Sequence, residues 1–170
     1  MKAQIRIIAL ALLLIGISIS TFAQVSATAT ASATIVTPIA ISKTVDMNFG
    51  NVAVSATAGT VVLTPAGSRS LTGGVTLPTI AGTVAAAAFN VTGANNYTYT
   101  ITLPATPTTI NSGANTMTVS TFTSNPATTG TLSASGAQTL NVGATLNVGA
   151  GQVAGSYTSA TPFTVTVNYN

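Results

Sequence analysis

Apolar and hydroxyl side chains alternate along much of this chain, and that period of two most restricts its fold. From Val25 to Ile35 every odd position is apolar, and every even position carries Ser or Thr. Successive side chains of a strand point to opposite faces, so the pattern predicts a long strand with small side chains on one face, ended or bent at Pro38. The spacing of three or four that marks a helix does not recur beyond residue 24.

Further short runs follow, separated by turns that contain Gly, Pro or Asn. The predicted strands lie at 45–49, 52–54, 60–64, 70–72, 75–77, 84–92, 97–103, 117–121, 139–142, 145–148 and 163–169. Phe122 falls out of phase with its run and is predicted to point to the opposite face. Short strands at this spacing predict an all-β sandwich, formed as one domain over residues 24–170, of which 24–41 is a candidate donor or edge strand.

The first 23 residues have a different pattern. Lys2 and Arg6 precede an apolar run from Ile7 to Ile19, and small residues lead up to Ala23. This order is typical of a secretory signal peptide, with cleavage after Ala23. The apolar run is shorter than the about 20 residues that a bilayer span needs. We therefore predict a protein that is secreted or displayed at the cell surface, in the outer envelope of a Gram-negative-type bacterium.

Side chains that could do chemistry are scarce. The chain has four basic residues, one acidic residue, and neither His nor Cys. Beyond the predicted signal peptide the charged residues are Lys43, Asp46 and Arg69, which sum to +1 (two positive, one negative). General acid–base catalysis, a Ser-His-Asp triad and a His/Cys metal site all need residue types that are missing. We expect no enzymatic activity, cofactor or metal, and no nucleic-acid partner, because Lys and Arg do not cluster.

A set of segments spread over nearly the whole chain beyond residue 24 carries a family resemblance. The segments are 47–52, 59–65, 73–77, 89–93, 97–104, 117–122, 155–157 and 163–169. Together they resemble a family of secreted bacterial proteins known as domain of unknown function 4402, and they are similar to the spore coat protein U and fimbrial subunit families. The resemblance implies an immunoglobulin-like, pilin-like antiparallel sandwich, export, and a role in surface fibres or coats. The chain departs from the fimbrial pattern in lacking paired cysteines.

The leading functional hypothesis is a fimbria-like or surface-coat subunit that assembles by β-strand addition. In that mode an extended segment of one subunit completes a sheet of the next. The candidate contact strands are the N-terminal strand and the last one, whose apolar faces consist of Val25, Ala27, Ala29, Ala31, Ala33, Ile35, Phe163, Val165, Val167 and Tyr169. The expected partners are other copies of this chain or other surface proteins, and the membrane is involved only in export.

Two alternatives stand beside this hypothesis. A monomeric adhesin or carbohydrate-binding sandwich would expose Tyr and Asn side chains in the loops 93–96 and 156–159, and its partner would be a glycan. A small outer-membrane β-barrel would need bulky apolar residues on every lipid-facing side and aromatic girdles. Aromatic residues make up only 5% of the chain, which disfavours the barrel.

Overall fold

The computed structural model describes residues 24–170, and its regular structure there consists of strands. In chain order they are β1 Ala40–Val45, β2 Asn48–Phe49, β3 Ala53–Leu63, β4 Arg69–Thr76, β5 Val84–Ala85, β6 Ala87–Thr92, β7 Thr98–Thr102, β8 Thr108–Ser112, β9 Asn115–Asn125, β10 Thr129–Thr131, β11 Ala137–Val148 and β12 Thr166–Tyr169. Residues 35–170 form one compact unit. None of the residues from 24 onward belongs to a helix long and apolar enough to cross a bilayer. The predicted signal peptide lies outside the described residues and stays a prediction.

The larger sheet has seven antiparallel strands arranged around β11. The first half of β11 pairs with β6, and its second half pairs with β3 on the same side. Strand β9 pairs along the opposite side of β11, β8 pairs with β9, β1 pairs with β6, and β4 pairs with β3. Because apolar residues alternate along β11, one face of this central strand is buried over its whole length.

A three-stranded sheet, in the order β10-β7-β12, packs against the first half of β11. The apolar cluster between the two sheets, here called the first core, combines residues of β6 and β11 with residues of β7 and β12. Its buried members are Ala87, Val91, Tyr99, Ile101, Leu132, Leu140, Val142, Val165 and Val167. Two antiparallel sheets over a shared apolar core are a sandwich, so the predicted all-β class is confirmed.

A second apolar cluster, here called the second core, is enclosed almost entirely by the larger sheet itself. Its buried members are Phe49, Val61, Leu63, Val75, Val119, Ala144, Leu146 and Val148. All of them except Phe49 lie on β3, β4, β9 or β11, which are strands of one sheet. The sheet therefore curls around this cluster. From outside the larger sheet, Phe49 of β2 and Val84 of β5 pair as a two-stranded sheet and cover part of the cluster, together with Met47, Val52 and Leu77.

Several strand predictions differ from the structure. The predicted strands 52–54 and 60–64 are one strand, β3, the predicted strand 84–92 is divided into β5 and β6, and β8 and β10 lie where no strand was predicted. The predicted strands 139–142 and 145–148 are one strand, β11, because Gly143 continues the ladder. The last strand begins at Thr166 rather than at Phe163. Residues 24–39 belong to no strand, since a strand is defined by its ladder and none of the ladders between residues 24 and 170 includes this segment. The role of residues 25–35 as a contact between subunits stays a prediction.

A β-bulge on β9 explains why Phe122 is out of phase with its run. Gly143 and Thr145 of β11 pair with Thr123 and Ser120 of β9, so two residues, Thr121 and Phe122, face one residue on the partner strand. Thr121 adopts a left-handed backbone with φ of +51°. The extra residue turns Phe122 inward, where it packs against both cores. Phe122 therefore lies on the same core face as Val119, and the predicted opposite face is wrong, because the extra residue at the bulge shifts the alternation by one position.

Replacing Thr121 with glycine is expected to raise the free energy of unfolding by about 0.5–1 kcal/mol. The left-handed conformation costs an L-residue roughly 1–2 kcal/mol, and the greater freedom of glycine in the unfolded chain offsets roughly 0.5–1 kcal/mol of that gain. Thr121 is exposed, so the change removes no buried contact. Thr123→Gly is the matched control, because it is exposed on the same strand without a positive φ, and it should lower stability. Urea unfolding of both variants checks the opposite signs.

Candidate functional site

A groove of about 1100 Å³ lies along the second core. It is lined by the chain from Lys43 to Val54, by β8 with the first part of β9, and by residues 152–163. Four members of the second core form part of its lining: Phe49, Val119, Leu146 and Val148. The groove exists because the larger sheet encloses this core with its own strands, and the two-stranded sheet of β2 and β5 covers only part of the side that remains.

The groove lining is rich in apolar side chains that remain partly exposed. Val45 is 42% exposed, Val54 39% and Val153 54%. Half-buried side chains extend this surface: Met47, Phe89, Ile110, Met117 and Phe163. The groove therefore offers exposed apolar side chains among polar ones.

The charged groups at the groove neutralise each other. The Lys43 ammonium donates to both carboxylate oxygens of Asp46, at 2.7 and 2.8 Å, and both side chains are exposed. Asp46 is the one acidic residue of the chain, and no cluster of three His, Cys, Asp or Glu residues occurs within the described range. The charged side chains of the groove lining are therefore one ion pair without net charge.

Arg69 fixes one part of the groove. Its Nη1 donates to the backbone oxygens of Phe49 and Asn51, at 2.6 and 3.0 Å, which ties the chain after β2 to the first residue of β4. The Asn48 side-chain oxygen accepts from the Gly50 backbone N–H at 2.8 Å and tightens the same turn. These bonds hold the lining in shape before any partner binds. Sequence reasoning missed this role of Arg69, because its acceptors lie 18 and 20 residues away.

The predicted contact residues of the last strand lie in two different environments. Val165 and Val167 are buried in the first core, so their side chains are used within the chain. Phe163 lines the groove, and its ring packs against Phe122 at 4.9 Å and Phe89 at 6.5 Å between centroids. β12 pairs with β7, and its other edge has no partner among the strands from β1 onward.

Tyr169, the remaining predicted contact residue of this strand, anchors the chain just before β1. Its hydroxyl donates to the Thr37 carbonyl at 2.8 Å and accepts from the Ala94 backbone N–H at 2.6 Å. Its ring also packs edge-on against Tyr97, at 5.5 Å between centroids. The last strand therefore holds the point at which the N-terminal segment joins the compact unit.

The carbohydrate-binding alternative needs exposed tyrosines, and two of the three other tyrosines of the chain form hydrogen bonds within it. Tyr99 is fully buried, donates to Gln138 Oε1 at 2.8 Å, and has its pKa raised by desolvation. The Tyr157 hydroxyl donates to the Val153 carbonyl at 2.6 Å and accepts from Gln152. Tyr97 is 45% exposed. A tyrosine platform for a glycan is therefore reduced to this one ring.

The other predicted contact strand, residues 25–35, is exposed at every position. Val25 is 93% exposed and Ile35 97%. The four alanines between them, at 27, 29, 31 and 33, carry the same apolar face. The structure thus leaves all six predicted N-terminal contact residues available to a partner.

Comparison with known proteins gives one family and no individual relative. A family model described as domain of unknown function (DUF4402) matches residues 39–169. The match starts two residues after Thr37 and covers all twelve strands. No curated protein and no solved structure matches the chain.

Proposed function

The chain belongs to the DUF4402 family, whose description assigns no activity, and we propose that it is an exported structural protein of the cell surface whose copies assemble by strand addition. It acts without catalysis. Each copy lends its N-terminal segment to a neighbour, so that a fibre or coat grows from repeated donation. Self-association, or association with another surface protein of the same kind, is the partnership that this function requires.

One observation carries the proposal: an alternating apolar face at residues 25–35 is fully exposed and has no strand partner within the described chain. In strand addition, main-chain hydrogen bonds supply affinity, and the alternate side chains set the register. The segment has both components, because its backbone donors are free of any ladder and its odd positions are all apolar.

The near absence of charge supports the same function. Beyond the predicted signal peptide the ionisable pairings reduce to the Lys43–Asp46 ion pair and the Arg69 contacts with backbone oxygens. Net charge far from zero is what normally keeps soluble proteins apart. A chain with this composition has little repulsion between copies, which suits a permanent assembly.

Deleting the N-terminal segment tests the proposal. A chain that starts at Thr37 keeps every strand from β1 to β12, and it should remain monomeric where the chain that starts at Gln24 forms filaments. Electron microscopy and size-exclusion chromatography measure the difference, and circular dichroism checks that the strand content is unchanged. Filaments formed by the shortened chain would overturn strand donation.

A matched pair of substitutions in the full mature chain tests strand donation without deleting any residue. Ala29→Asp places a carboxylate on the apolar face, and burying it in a partner should lower the association constant by about tenfold or more. Thr30→Asp places the same charge on the opposite face and should assemble almost normally. Equal loss of assembly in both variants would indicate a charge effect without a strand register.

A carbohydrate-binding module is less well supported. Its predicted platform of tyrosines needs free hydroxyl groups and exposed rings, and the hydroxyls of Tyr99, Tyr157 and Tyr169 are bonded within the chain. The structural function needs no such group.

A further inference from the structure

We infer that the groove along the second core is the acceptor for residues 25–35 of a second copy of this chain. The inference rests on the proposed function and deepens it, because it names the surface that receives the donated segment. The segment adds a strand across the lining, and its odd-numbered side chains face the second core.

The groove is the place in the compact unit where the apolar core is least complete. The first core is covered on both sides by sheets of three or more strands, whereas the second core is enclosed by one curled sheet and only partly covered by the two-stranded sheet of β2 and β5. Leu146 and Val148 are buried and still line the groove. An added strand would exclude water from the exposed lining of Val45, Val54 and Val153.

The charge of the lining and the volume of the groove indicate that residues 25–35 are its occupant. Residues 25–35 contain no charged side chain, and the charged pair at the groove is neutral as a unit. The volume of about 1100 Å³ lies above the roughly 300–1000 Å³ typical of small-molecule sites. Alanine methyl groups at four positions let a backbone approach closely, and Val25 and Ile35 supply a larger apolar side chain at each end.

The hydrogen bond between Tyr169 and Thr37 indicates that the contact between two copies joins different surfaces, which is a head-to-tail contact. Tyr169 fixes Thr37 before β1 begins, whereas the groove is lined from Lys43 at the second half of β1 onward. From Thr37 to Val45 an extended chain covers up to about 25 Å. The base of the donated segment and the receiving groove thus lie toward opposite ends of β1. A contact between two different surfaces propagates as an open filament unless its rotation closes a ring.

Disulfide trapping tests this contact directly, because the chain has no cysteine of its own. One version of the mature chain carries Val45→Cys in the groove. A second, distinguishable by an affinity tag, carries a single cysteine at one position from 27 to 34. The two are mixed under a mild oxidant. Disulfides need Cβ atoms within about 3.5–4.5 Å, so only aligned neighbours link. We expect mixed dimers from at least one of Ala27, Ala29, Ala31 and Ala33, and loss of the product at the intervening even positions.

Leu71→Cys is the matched control acceptor. Leu71 is 41% exposed, close to the 42% of Val45, lies on β4 at the edge of the larger sheet, and is not part of the groove lining. Mixed dimers with Leu71→Cys in place of Val45→Cys would place the donor at the β4 edge and overturn this inference. So would a chain carrying both Ala29→Cys and Val45→Cys that closes on itself as a monomer at high dilution.

The failure of this inference and the failure of the proposed function are distinguishable. If the unmodified mature chain stays monomeric in size-exclusion chromatography and forms no filament, the proposed function fails. If it assembles, and the Val45→Cys chain gives no link at any position from 27 to 34, strand donation stands and the groove is the wrong acceptor.

Discussion

Tyr99→Ala is expected to lower the free energy of unfolding by about 3–5 kcal/mol, the range for truncating a fully buried aromatic side chain. Tyr99 has no exposed surface and lies on β7, the central strand of the smaller sheet, between β10 and β12. Its truncation opens a cavity in the first core and leaves the Gln138 side-chain oxygen without its donor. Few neighbours can fill the space, because both flanking strands are held by ladders to β7.

Two variants separate the causes of that loss. Tyr99→Phe keeps the ring and removes only the hydroxyl group, so it should cost about 1 kcal/mol, the net value of one hydrogen bond. Tyr97→Ala removes an equal side chain that is 45% exposed and should cost much less than Tyr99→Ala. Urea unfolding followed by circular dichroism gives all three values. A loss for Tyr97→Ala as large as for Tyr99→Ala would show that burial in the first core is not what stabilises the smaller sheet.

Local pattern was enough to predict most strands. Alternation in the last strand placed Val165 and Val167 on one face, and both are buried in the first core. The phase change at Phe122 was also visible in the sequence, although it was interpreted as a change of face and not as the bulge that keeps Phe122 on the core face. Alternation and its changes of phase involve residues that are close in sequence, so they can be detected from sequence spacing.

Long-range pairing could not be predicted in the same way. The groove is lined by residues as far apart in sequence as Met47, Ile110 and Phe163, and no local pattern links them. Each of these side chains has the ordinary appearance of a core residue. They form a groove only because the larger sheet curls around the second core and the two-stranded sheet of β2 and β5 covers it only in part.

The curl of the larger sheet creates a groove with exposed apolar side chains, and the exposed N-terminal segment also has an apolar face. An apolar segment in water and an apolar groove in water each carry an unfavourable hydration free energy, and burying one against the other removes both. In the proposed assembly these two features would be the two halves of a repeating contact. The hydrogen bond from Tyr169 to Thr37 would hold the base of the segment at the same point in every copy.

Gly143→Val is expected to destabilise the fold by about 3 kcal/mol or more, although strand propensity predicts the opposite. Valine favours strands over glycine on a scale that spans about 1 kcal/mol. Gly143, however, lies where the neighbour of β11 changes from β6 to β3, between Val142 paired with Ala87 and Ala144 paired with Leu63. A Cβ there would collide with the carbonyl oxygen of Leu63 and with the backbone that follows it. Overpacking costs about 1–3 kcal/mol when side chains can yield, and more when backbone must move.

Gly149→Val is the matched control for that prediction. Gly149 follows the last residue of β11 without a positive φ, and a Cβ there would meet only the end of the flexible Gln152 side chain, at 2.9 Å. Its substitution should change the free energy of unfolding by less than about 0.5 kcal/mol, as for most surface positions. If Gly143→Val were as stable as Gly149→Val, the end of β3 and residues 64–65 would not lie against Gly143 of β11. The larger sheet would then not curl around the second core in the way described, and the groove would have a different shape.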